Sequence, residues 1–217
     1  MIDFNDMPAD VRMPGAYAEI DSSRARRGLP LKTPKVLLIG NRLAAGAVAQ
    51  GVLTRLYSAA QGKADFGNGS VLAQMIASFC RANTSADLYA VALDDAGGGV
   101  AATTTVTLTG NATAAGTLPL YIAGRAVPVA VASGNTPTQI ATAAVAAVGA
   151  ADDMPVTAGN VAGVITLTAK NKGTQGNNID VRVGYYPEDV IPAGVAAAVA
   201  AGVAGATDPD ITTAIAA

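Results

Sequence analysis

Lys35-Val36-Leu37-Leu38-Ile39 runs unbroken and apolar up to Gly40. A continuous run of this kind suits a strand buried on both faces, the strand type of an α/β layer. Working outward, Val52 to Tyr57 reads as a second strand. Ser70 to Ala82 reads as a helix, because Val71, Leu72, Met75, Ile76, Phe79 and Cys80 fall on one face at helical spacing. Ser70 can cap its start and Asn83 its end. Leu88 to Leu93 follows as another short buried strand. Residues 33–97 therefore read as an α/β segment. Cys80, on the apolar face of that helix, reads as a small buried hydrophobe.

The composition changes near Asp95. Gly97-Gly98-Gly99 marks the seam, and from Ala96 to Ala151 the sole charged side chain is Arg125. Strands of period two follow. Val106 and Leu108 alternate with threonines; Leu118, Leu120 and Ile122 form the next apolar face, then Val127, Val129 and Val131. Thr136-Pro137-Thr138-Gln139 is a capping box with Pro at the first helical position. Ile140, Ala144, Ala147 and Val148 continue that helix and Gly149 ends it. Val164 to Ala169 and Ile179 to Tyr185 read as strands joined by the Lys170–Asn178 loop. Residues 98–186 thus form a β-rich, sandwich-like unit with one helix and a Thr/Asn/Ser surface. In residues 187–217, Val195 to Val203 alternate as a return strand. Asp208-Pro209-Asp210 reads as a helix start capped by Asp208, with Ile211 and Ile215 on one face. A helix this short is marginal alone, so the end reads as a cut through a longer protein.

Composition narrows the function. The chain has 217 residues with 14 Lys+Arg against 16 Asp+Glu, so bulk charge does not hold it to nucleic acid. Its apolar half is mostly methyl groups, with 48 Ala and no Trp. His is absent, which removes the commonest general base and metal ligand. Cys80 is alone, so neither an intramolecular disulfide nor a cysteine-rich zinc site can form, and a reducing compartment is acceptable. No cofactor and no enzymatic activity are expected. The longest weakly apolar run, Ala193 to Ala206, has 14 residues, below the roughly 18 of a membrane span. Asp3, Asp6 and Asp10 stand where a signal peptide would be basic. The Gly40–Gly46 turn matches neither G-x-G-x-x-G nor G-x-x-x-x-G-K-[ST]. Asp94-Asp95 and Asp152-Asp153 are adjacent, so they face opposite ways on a strand and make no acid/base pair; they read as surface loop ends.

Residues 1–32 are punctuated by Pro8, Pro14, Pro30, Gly15 and Gly28 and read as an extended arm and linker. Ala16-Tyr17-Ala18-Glu19-Ile20 is a short strand without a hairpin partner beside it. It is either part of a flexible terminus or an arm that adds a strand to another subunit's sheet. Arg24, Arg26, Arg27, Lys32, Lys35 and Arg42 form a basic stretch. With only Tyr17 nearby to stack a base, it reads as a solvated linker, or as a contact with an acidic neighbour, rather than a nucleic-acid site.

Several stretches together resemble contractile tail sheath proteins of Mu-like phages. They are Ile2-Asp3-Phe4-Asn5-Asp6-Met7-Pro8, Val11 to Asp21, Val36 to Gly40 with Leu43-Ala44-Ala45-Gly46, and Phe66-Gly67-Asn68-Gly69-Ser70. Leu88 to Asp95, Asn171 to Asp180 and Gly205 to Asp210 continue the series. The resemblance implies the N-terminal portion of a non-enzymatic virion protein, assembled in the host cytoplasm. It would form a helical homopolymer of stacked rings around an inner tail tube, with baseplate and tail terminator proteins as further partners. It implies no nucleic-acid partner and no membrane insertion. It places inter-subunit strand exchange on Met13, Pro14, Gly15, Ala16, Tyr17, Ala18, Glu19, Ile20 and Asp21, and makes 98–186 a peripheral insertion. Family members are longer, and their later part carries the tube-facing surface and the rest of the α/β core. A β-sandwich adhesin or carbohydrate-binding module is the alternative drawn from the Thr-rich region. A nucleotide-using enzyme on the 35–95 layer is a third.

Overall fold

A computed structural model describes residues 33–212. The first sheet has the order β1-β3-β2, from β1 (Lys35–Asn41), β2 (Leu53–Leu56) and β3 (Asp87–Leu93). β1 and β3 are parallel, Lys35 opposite Asp87 and Asn41 opposite Leu93; β2 runs antiparallel to β3. Parallel neighbours need a crossover, and β2, α1 (Ala59–Phe66) and α2 (Val71–Ala82) lie within it. The expected helix is α2. Ser70 Oγ accepts the Ala73 amide and the Asn83 amide reaches the Phe79 carbonyl. Its inner face packs Leu72 and Ile76 against Phe66, Leu56, Leu88, Ala90 and Ala92.

The sequence reading has no counterpart for α1. Only Gly62 and Phe66 are buried in it, so it carries almost no apolar stripe. Gly62 is there for contact: a Cβ at that position would stand 2.8 Å from Cγ2 of Ile76.

The second layer system is all one core. β10 (Ala196–Ala201), β4 (Thr103–Thr109), β8 (Val164–Ala169) and β7 (Val156–Val161) form one sheet in that order. β6 (Arg125–Val131), β5 (Gly116–Ile122) and β9 (Val181–Val183) form another. α3 (Pro137–Ala150) packs on β6, β7, β8 and β4. Val106, Leu108, Leu118, Leu120, Ile122, Val127, Val129, Val131, Ile140, Ala144, Val148, Ile165 and Leu167 are buried together. The capping box is formed, Thr136 Oγ1 accepting from the Gln139 amide and Gln139 Oε1 from the Thr136 amide. Two hairpins turn on residues with positive φ, Ala123-Gly124 and Ala162-Gly163, the geometry that matches strand twist. The molecule is therefore mixed and sheet-rich, a partial α/β layer beside a β-rich part.

Several expectations change; the Val195–Val203 strand narrows to Ala196–Ala201 and Val52–Tyr57 to Leu53–Leu56. The strand of 179–185 shortens to Val181–Val183, with Gly184 at φ 68 just past its end. β7 was unread, because Gly159 and Asn160 interrupt its apolar pattern. The helix ending at Gly149 runs to Ala150. Asp208 is not the cap: residues 207–210 are irregular, Thr212 is the first helical residue, and the Asp208 carboxylate instead accepts the Thr174 amide at 2.7 Å and the Thr174 hydroxyl at 2.6 Å. Asp210 accepts from the Thr212 amide and hydroxyl. The Ile211/Ile215 pair cannot be compared, since Ile215 lies outside the described residues.

Candidate functional site: an open sheet and a polar joint

Alternation along the α/β sheet sends Leu38, Leu88, Ala90 and Ala92 toward the helices and Leu37, Tyr89, Val91 and Leu53 to the other face. No helix among the described residues packs on that second face. Leu37 is 50% and Leu53 62% exposed, while Val91 and Leu93 make a small separate cluster with Ile39. Among the described residues β1 and β2 are the two edges of this sheet. A parallel pair is ordinarily covered on both faces; among the described residues a helix layer covers one face of this one.

The joint between the α/β layer and the β-rich part is polar, and their apolar cores are separate. Asn171, 5% exposed, is its centre. Asn171 Oδ1 accepts the Val71 amide (3.0 Å) at the start of α2, and its Nδ2 donates to the Arg42 carbonyl (2.9 Å) and the Asp95 carboxylate (3.0 Å). Asp95 also accepts from Asn41 Nδ2 and the Lys172 amide. Lys170 Nζ donates to the carbonyls of Asn68 and Asp152, and burial lowers its pKa, opposed by Asp152 and Asp153. Asp153 accepts from Arg125 Nη1 (2.6 Å) and Lys63 Nζ (3.1 Å). The Arg125 hydrogen bond, more than Lys63, holds this carboxyl below the usual carboxylate range, against the opposing effect of burial. The chain enters the β-rich part and leaves it side by side, through the Val100–Ala206 bridge.

Met13 to Asp21, the strand-exchange residues, lie outside the described residues, as do Arg24, Arg26, Arg27 and Lys32. Arg42 is not solvated linker: its guanidinium donates to Asp94 at 2.6 Å and to the Val48 carbonyl at 2.9 Å. Asp95 and Asp153 are joint residues rather than loose loop ends, and only the long-range pairing could reveal this. The Gly40–Gly46 turn is packed against the end of α1. Gly46 donates to Leu43, Ala47 to Ala64 and Val48 to Asp65, and a Cβ on Gly46 would meet the Phe66 backbone. Cys80 is partly buried and packs on the α/β core. The sequence reading also missed a trio of tyrosines. Tyr121, Tyr185 and Tyr186 pack with centroids 4.9–5.8 Å apart, Tyr186 edge-on to the other two, held by Asp189 accepting the Tyr121 hydroxyl and the amides of Tyr185 and Tyr186. Among the described residues no helix is long and apolar enough to cross a membrane, and no group of three His, Cys, Asp or Glu could hold a metal.

No protein-family model matches the chain. Over 214 residues, 99% of its length, it is 40% identical to the Mu-like prophage FluMu tail sheath protein of Haemophilus influenzae (strain ATCC 51907 / DSM 11121 / KW20 / Rd). The chain spans 44% of that relative. The likeness covers the α/β layer, the joint and the β-rich part alike, and it is to a Mu-like phage tail sheath protein, the family that the sequence motifs resemble.

Proposed function

We propose that this chain is part of a subunit of a phage contractile tail sheath. It polymerises as stacked rings around an inner tail tube and shortens to drive that tube through the host envelope. The observation that carries this is the 40% identity, sustained over nearly the whole chain, to a tail sheath protein. Its partners on this reading are further copies of itself, the tube protein, and the baseplate and terminator proteins. Its place is the virion tail, after assembly in the host cytoplasm, and its role is structural rather than enzymatic.

Residues 13–21 link subunits by adding a strand to a neighbour's sheet. Each backbone hydrogen bond in such a link contributes about 1 kcal/mol, and repetition around every subunit keeps the lattice connected while other contacts slide. The Pro- and Gly-containing segment 22–34 gives the link its compliance. The α/β sheet supports the same reading, since among the described residues one face and both edges are uncovered and suit completion by further polypeptide. The β-rich part is read as the peripheral, sandwich-like insertion that begins at residue 98. β10 on β4 and the Val100–Ala206 bridge favour carrying it on to residue 206. The adhesin alternative is not favoured, because the likeness runs through the α/β layer as well as the Thr-rich region.

Deleting residues 1–21 from the full sheath protein tests the link. The expected product is soluble and folded but does not polymerise, as read by electron microscopy and sedimentation. Normal polymers from that deletion would overturn strand exchange through residues 13–21.

A further inference from the structure

One cleft of the joint carries an excess of positive charge. Lys63 of α1, Arg81 at the end of α2 and Arg125 at the β5–β6 turn line a cavity of about 570 Å³ together with Gln74, Ser78 and Asp153. Three cations line it against one carboxylate: Arg125 and Lys63 both pair with Asp153. Elsewhere among the described residues each arginine has its own acid: Arg42 with Asp94, Arg55 with Asp87, Arg182 with Asp180. Arg81 has no hydrogen-bond or ion-pair partner among the described residues. Its place in the last turn of α2 suits the helix dipole, but that does not account for Arg125. Arg125 is the sole charge in the 56 positions from Ala96 to Ala151, and it stands on the rim of this cleft rather than out in solvent alone.

We propose that the cleft receives the acidic opening segment, residues 1–10, of a neighbouring copy of this chain. That segment carries Asp3, Asp6 and Asp10 and neither Lys nor Arg, a charge of −3 set against the surplus of +2 in the cleft. The proposal rests on the strand-exchange reading. If residues 13–21 pair with a neighbour's sheet, the residues just ahead of them also lie on a neighbour's surface. Opposite charge then selects where they dock and fixes the register of the exchanged strand.

Mixed-copy cross-linking in the full sheath protein tests it. In a Cys80→Ala background, one copy carries Asp6→Cys and the other Ser78→Cys, an exposed position on the cleft. The expected result is a disulfide-linked dimer formed only in the mixture. Its yield should fall at least tenfold on adding Arg81→Glu to the second copy and recover when Asp3→Lys and Asp10→Lys are added to the first. Assembled sheaths that give no cross-link overturn the proposal, as does a cross-link indifferent to Arg81→Glu. Deleting residues 1–12 while keeping 13–21 separates the two readings. Weakened, salt-sensitive assembly is expected from docking, whereas assembly unaffected by this deletion overturns the docking and leaves strand exchange standing.

Discussion

Asn171 Oδ1 accepts the backbone amide of Val71 at 3.0 Å, across 100 positions of sequence. Val71 opens α2, and the first amides of a helix have no partner within it. The β-rich part therefore completes the N-terminus of a helix belonging to the α/β layer, alongside the local cap from Ser70. The same side chain ties Arg42 and Asp95, so one buried amide fastens three segments.

Replacing Asn171 by Ala leaves the Val71 amide and the Arg42 carbonyl without partners. An unsatisfied buried group costs about 1–3 kcal/mol, and a loss of about 2–4 kcal/mol in denaturant stability is expected. Asn171→Asp keeps an acceptor for Val71 but sets a second carboxylate against Asp95, so it should destabilise more at pH 7 than at pH 4. An Asn171→Ala midpoint equal to the parent would show that the joint is held elsewhere.

Asp153 gives the joint a pH dependence of definite sign. Its folded pKa is lowered, chiefly by the Arg125 hydrogen bond. The stability it contributes is therefore present above its unfolded pKa and is lost as pH falls through the folded value. Asp153→Asn should be less stable than the parent at pH 7, and the two unfolding curves should converge on acidification below the ordinary carboxylate range. Added salt should narrow the gap at pH 7, because both cations are partly exposed. A gap that persists unchanged at pH 3 would assign the effect to packing rather than charge.

Gly62 and Ile76 make a test of helix packing in the α/β layer. In an isolated helix Gly→Ala stabilises by about 1 kcal/mol. Here the new Cβ would stand 2.8 Å from Ile76 Cγ2, and overpacking of this kind costs about 1–3 kcal/mol. Gly62→Ala should thus be destabilising or neutral rather than stabilising. Ile76→Ala alone should cost about 2–5 kcal/mol. The double variant should lose less than the sum, because the methyl added at one site enters space vacated at the other. Strict additivity in denaturation midpoints would contradict the contact.

These residues also mark what was legible in the sequence. α3 was readable because Thr136, Pro137 and Gln139 announce it locally, and β5 and β6 because Leu118, Leu120, Ile122, Val127, Val129 and Val131 alternate without a break. α1 was not, since it lacks an apolar stripe and its one local signal is the cap of Ser58, whose hydroxyl accepts the Gln61 amide. β10 was visible as alternation, but its place beside β4 depends on pairing Ala196 with Thr109, far apart in the chain. The joint was invisible for the same reason: Asn171 and Arg42 are 129 positions apart, and nothing near either residue names the other. Arg42 looked like linker because its acid, Asp94, lies beyond two helices and two strands.

The proposed arm strand gives the sharpest single-residue prediction. In the proposed strand Ala18 is the middle position, between Tyr17 and Glu19. Proline removes an N–H and clashes with ladder geometry, so within sheets it is confined to edges, first residues and bulges. A merely flexible tether tolerates it without loss. Ala18→Pro in the full sheath protein should leave the monomer's circular dichroism and unfolding midpoint unchanged, because on the strand-exchange proposal this segment is paired only within the polymer. Polymerisation should fall at least tenfold in rate or extent, while Ala18→Val, a better strand former, should assemble at least as well as the parent. Equal assembly by the Pro and Val variants would mean that residues 13–21 are not hydrogen-bonded as a strand in the polymer, whatever else links the subunits.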